Sequence, residues 1–88
     1  MPTVLWIGNL RVVVYPNDHR PAHVHVIGQG REAVFELMNR PAGRVAEGSV
    51  TLRENYGFSR RDLARIERAL IQHLIELLRA WERIHGEA

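Results

Sequence analysis

The segment Asn17-Asp18-His19-Arg20-Pro21-Ala22-His23-Val24-His25-Val26 gathers most of the groups in this chain that could do chemistry. His23 and His25 are two residues apart, so on a strand their imidazoles face the same way. That is the minimum geometry for two imidazoles to share one ligand. Asp18 and His19 lie just before them and can fold over the same spot. Neutral imidazole suits zinc and other late first-row metals, and carboxylates complete such sets. A metal reading therefore uses Asp18, His19, His23, His25 and Glu36. Acid/base chemistry is a second reading, because histidine changes charge near neutral pH. His19, His23 and His25 would then supply base and acid, and Arg20 the cation for a developing phosphate charge, as in a small metal-independent ribonuclease. In a third reading the segment is a turn and a strand whose imidazoles lie over an open sheet face, with no chemistry. No cofactor is required by any of this; a divalent metal is required only by the first.

The elements around the segment decide which groups meet. Thr3–Ile7 and Leu10–Tyr15 are apolar, β-prone runs around Gly8-Asn9, a hairpin pattern. Pro16-Asn17-Asp18 favours a turn. His23–Ile27 and Arg31–Met38 flank Gly28-Gln29-Gly30 and form a second hairpin. With a two-residue loop at Gln29-Gly30, Gly28 pairs with Arg31, Val26 with Ala33 and Val24 with Phe35. The opposite face then carries His23 against Glu36, His25 against Val34 and Ile27 against Glu32. A three-residue loop would put the histidines beside Ala33 and Phe35, because a one-residue slip turns a strand's faces over. The two-residue register separates polar from apolar better and is the one expected. Asn39 to Gly48 has no periodicity and is expected to be a surface loop. Ser49–Arg53 could add a short fifth strand.

The clearest element is C-terminal. Ser59 is placed to cap a helix, with Asp62 three residues on and Phe58 positioned to staple against Leu63. Leu63, Ile66, Leu70, Leu74, Leu77, Leu78, Trp81 and Ile84 share one broad face, widened by Ile71 and Ile75. Gly86 fits the position after the last turn. One helix from Arg60 to His85 would run roughly 39 Å at ~1.5 Å per residue. Four or five short strands cannot cover that face, so a homo-oligomer through this helix is expected. Arg61, Arg65, Arg68, Arg79 and Arg83 lie together on the opposite face, where they could meet an acidic partner or phosphates; a solvated face is the plainer account. His73 sits at the edge of the apolar face. Trp6, Tyr15 and Trp81 are expected as core or interface anchors.

Composition limits the rest. The 88 residues are read as a single domain, 1–88, with 45% hydrophobic and 25% charged residues. There is no cysteine, which excludes disulfides and thiolate metal sites. All twelve basic residues are arginine. The net charge of +2 is too small to argue nucleic-acid binding by itself. No secretory signal and no apolar run of ~20 residues is visible, so no membrane role and a cytoplasmic setting are expected. No phosphate-binding glycine loop or serine-hydrolase motif is present.

The fold class that follows is α+β: an antiparallel sheet of four to five strands, built from two hairpins, with one long C-terminal helix packed on one face. Met1-Pro2-Thr3, Asn17-Asp18-His19 with Pro21, His23-Val24-His25-Val26, Glu32-Ala33, Gly57-Phe58-Ser59-Arg60 and Leu77-Leu78-Arg79-Ala80-Trp81 together resemble the bacterial family called domain of unknown function 4160. The resemblance spans nearly the whole chain, though Ala22 stands where Pro is expected and the stretch from Asn39 to Arg53 is longer. It implies a small bacterial protein of the toxin–antitoxin type, acting by binding a cognate small protein and RNA. It supplies no catalytic residue.

Overall fold

The computed structural model describes residues 3–38 and 49–86; the expected loop from Asn39 to Gly48 lies outside them. Five strands, β1 (Thr3–Ile7), β2 (Leu10–Val13), β3 (His23–Gly28), β4 (Arg31–Leu37) and β5 (Val50–Tyr56), form one sheet in the order β1-β2-β3-β4-β5. Every neighbouring pair is antiparallel. The fifth strand is longer than the Ser49–Arg53 run expected. β4 supplies a backbone ladder as far as Tyr56, and bonding of this kind requires no apolar alternation in the partner.

The β3–β4 register is the one that sorted the residues by polarity. Gly28 pairs with Arg31, Val26 with Ala33, Val24 with Phe35, and His23 with Glu36. Gln29 and Gly30 have φ of 55° and 73°. Two successive positive φ values are the type I′ turn, whose twist matches that of the strands it joins. Glycine takes the second position without cost, whereas Gln29 is an L-residue held in the left-handed region.

The C-terminal segment is two helices rather than one. α1 runs Arg60–Gln72 and α2 runs Leu74–His85, with His73 between them at φ −110° and ψ 19°. The His73 N–H is shared by the carbonyls of Ala69 and Leu70, both at 3.2 Å, and the Leu77 N–H bonds the His73 carbonyl at 2.9 Å. The last turn of α1 is thus tightened and the next helix starts at once. Neither Pro nor Gly marks this joint, so the apolar periodicity runs straight across it. α1 packs beside β5 and α2 beside β1. The joint lets one apolar stripe serve both edges of the sheet. Ser59 caps α1 by accepting from the Asp62 N–H at 3.1 Å, and Gly86 closes α2 in the left-handed conformation. The Asn55 side chain holds the entry to α1, accepting from the Phe58 N–H and donating to the Phe58 carbonyl.

The core lies between the helices and one sheet face. Val12, Val14, Val24, Val26, Ala33, Phe35 and Leu37 meet Ile66, Leu70, Leu74, Leu77 and Trp81 there. Burial of each large side chain contributes about 1.5–3 kcal/mol. Of the residues expected to need cover from a second copy, Ile75 is left 43% exposed. Trp6 is not in the core: it is 59% exposed on the edge strand β1. It pairs with Arg11 and so faces away from the helices. Gln29→Asn, which gives the Asn-Gly pair that type I′ turns favour, is expected to raise stability by about 0.5 kcal/mol. Urea denaturation measures this, and a lower midpoint would contradict the turn geometry.

Candidate metal centre

The register puts His23 and His25 on the sheet face away from the helices, at the end where the chain turns from β2 into β3. That turn is folded back by Asp18. Its N–H bonds the Tyr15 carbonyl at 3.1 Å, and its carboxylate accepts from the Tyr15 N–H at 3.4 Å. The Arg20–Pro21 peptide bond within it is cis. The folded turn carries the Asp18 carboxylate over the two imidazoles. Asp18 Oδ2 lies 3.2 Å from Nε2 of His23 and 3.2 Å from Nε2 of His25. One ligand atom from each of these three residues lies within 4.8 Å of the others, and the group can hold a metal ion.

The outer nitrogens of both rings are also held. His23 Nδ1 lies 2.8 Å from the Pro21 carbonyl, and His25 Nδ1 lies 3.1 Å from Glu32 Oε2. A carbonyl and an ionised carboxylate only accept, so each Nδ1 is the donor; in a neutral ring the Nε2 lone pair then faces Asp18. Tyr15 meets the His25 ring edge-on at 4.6 Å between centroids. His23 is only 6% exposed. Asn17, His19, Arg20, Val34, Arg53 and Glu54 wall a cleft of about 270 Å³ above the group.

A second support comes from the far end of the chain. His85 Nε2 lies 3.0 Å from the Asp18 carbonyl and its Nδ1 lies 3.0 Å from the Trp81 carbonyl. The His85 ring stacks on the buried Trp81 indole at 3.8 Å, and the indole's ring in turn lies 5.3 Å from that of His23. The last turn of α2 therefore braces the turn that carries Asp18.

Of the residues expected at a metal site, the structure brings together Asp18, His23 and His25. His19 is exposed on the wall of the cleft, outside the ligand group. Glu36 stands opposite His23, but its carboxylate is 3.9 Å from Arg53 Nε. Glu32, the diagonal neighbour of His25, makes the contact instead. Arg20 lines the same cleft as the imidazoles. The five helical arginines are divided: Arg61, Arg65 and Arg68 are exposed on α1, and Arg79 and Arg83 on α2. His73 is at the helix joint, bonded to Glu76 at 3.0 Å, and takes no part in the cluster. A larger groove of about 580 Å³ lies beside β1, the helix joint and α2; His73 and Glu76 meet there, but among the described residues no third metal-ligating side chain joins them. Sequence spacing missed His85 and Trp81. Their offset of four places both on one helix face, yet nothing local links either to Asp18.

On this face Tyr56 donates its hydroxyl to Glu54 Oε1 at 3.2 Å. That bond, then the Glu54 charge, slight burial and the Glu32 charge, holds the phenol above its ordinary value. Glu54→Gln is expected to make Tyr56 ionise at lower pH, read by ultraviolet absorbance. An unchanged titration would show that Glu54 does not hold the phenol.

Fold and site together define a small α+β protein with a two-histidine, one-carboxylate face on an open sheet. The chain belongs to the DUF4160 family, described as a domain of unknown function, whose model matches residues 9–82. No curated protein matches it, and no solved structure does. No described helix is long and apolar enough to cross a membrane.

Proposed function

We propose that Asp18, His23 and His25 form a divalent-metal centre, for zinc or another late first-row ion, with open positions toward the cleft. The observation that carries this is the proton count. A neutral imidazole has one N–H. In His23 and His25 that hydrogen is committed at Nδ1, to Pro21 and Glu32. Both remaining lone pairs then point at the same acceptor, Asp18 Oδ2. Three electron-rich atoms converging on one point is the arrangement a shared cation satisfies. The spacing agrees: tetrahedral zinc with bonds of ~2.0–2.1 Å places its ligand atoms about 3.3 Å apart. Ligating histidines characteristically donate their other N–H to a carbonyl or carboxylate, as both do here. Three protein ligands with further positions open is the pattern of catalytic rather than structural zinc, and the same face suits non-haem iron. An ion held there would polarise an oxygen or activate water.

One equivalent of zinc or cobalt(II) is expected to bind, with Asp18→Asn, His23→Ala and His25→Ala each removing most of the affinity. Glu32→Gln is expected to weaken binding about 10–100-fold by freeing the His25 ring. Calorimetry and the visible spectrum of the cobalt form measure both. Protein that takes up neither metal, at unchanged melting temperature, would sink this reading.

The same contacts favour a second reading. Asp18 orients both imidazoles beside His19 and Arg20, an acid/base cluster without metal in a small ribonuclease-like toxin. Growth arrest on induced expression that survives loss of both His23 and His25 would remove it. The broader proposal, a toxin–antitoxin-type component with a cognate protein partner, rests on the family resemblance.

A further inference from the structure

We infer that the open side of this centre takes a phosphate ester carrying a planar ring, with a nucleoside phosphate as the type ligand. The inference rests on the metal reading and names the ligand of that same site. Charge gives its first half. A divalent ion held by two neutral imidazoles and one carboxylate keeps net positive charge, and its open positions face the cleft, so an anionic oxygen is the natural further ligand. Arg53 lines this cleft. Its side chain is 44% exposed, and its Nε stands 3.9 Å from the Glu36 carboxylate, too far for a tight bond. It can turn toward the ion's open side, and its planar fork matches a phosphate. Arg20 lines the same wall. The acidic side chains nearby are already engaged: Glu32 on His25, and Glu54 on the Tyr56 hydroxyl.

The ring half comes from the register. Tyr56 pairs with Glu32, whose carboxylate reaches His25, so Tyr56 shares the face that holds the centre. It is 61% exposed, and its hydroxyl is tied to Glu54, two residues back on the wall of the cleft. Two residues on a strand span about 7 Å. An exposed phenol ring is thus fixed beside an oxyanion site, where a base can stack without hydrogen-bond readout. A carboxylate ligand would satisfy the ion but leave the ring unused, and a neutral aromatic would leave the ion and Arg53 unused.

The test uses the full chain loaded with one equivalent of zinc, with inorganic phosphate, adenosine and adenosine 5′-monophosphate titrated calorimetrically. Phosphate is expected to bind the zinc-loaded protein and not the zinc-free protein. The nucleotide is expected to bind about tenfold tighter than phosphate, the scale of one base–aromatic stack, and adenosine alone not measurably. Tyr56→Ala should bring the nucleotide down to the level of phosphate and leave phosphate alone. Arg53→Ala should weaken both about tenfold. Neither should alter zinc affinity. Zinc-loaded protein that ignores phosphate and nucleotide alike overturns the inference while the metal reading stands. A nucleotide no tighter than phosphate, or unaffected by Tyr56→Ala, overturns the ring half. Failure to bind zinc at all removes the metal reading, and this inference with it.

Discussion

Asp18 is the residue on which the polar contacts of the candidate site converge. Its Oδ2 faces two imidazole nitrogens, its N–H and carboxylate close the turn onto Tyr15, and its carbonyl receives His85. Each contact fixes a different degree of freedom of one short side chain. A carboxylate tethered at both backbone ends has little room to move, which is what a ligand set needs if it is to bind without reorganising. The remainder of the fold can be seen as the means of holding this turn against the end of β3.

Two parts of the chain far apart in sequence supply that hold. The β3–β4 hairpin presents the imidazoles and, through Glu32, sets the orientation of one. The last turn of α2 presses Trp81 and His85 against His23 and the Asp18 carbonyl. Trp81 is 1% exposed, so the brace is part of the core and not a surface contact. The stability of the helices and the order of the site are therefore coupled: loosening α2 loosens the turn.

Much of the fold was legible from residue order because strands have a strict period of two. His23, His25, Glu32 and Glu36 could share one face only in the register that also put Val24, Val26, Ala33 and Phe35 on the other. Ser59 and Gly86 likewise announced the two outer ends of the helical segment through the chemistry of capping. The break at His73 was not legible, since it depends on how a helix meets both edges of a sheet and no residue type there forbids continuation. Pairing placed Glu36 opposite His23 and Glu32 on the same face, but the Glu32 contact to His25 was not legible, because diagonal reach across strands depends on rotamers. The His85–Asp18 contact joins residues 67 apart, beyond any local pattern. Of the two places expected for Trp6, core or interface, its parity on the edge strand rules out the core: it shares the outward face with Arg11.

The type I′ turn at Gln29-Gly30 sets unequal limits on how this chain can change length. Between Leu37 and Val50, added or lost residues leave the parity of β3 against β4 untouched, and the imidazoles stay where they are. One residue gained or lost between Gly28 and Arg31 would turn one strand over against the other, sending Glu32 and Glu36 to the helix side or the histidines into the core. Variation in length among chains of this design should therefore collect in the β4–β5 connection and be absent from the β3–β4 turn.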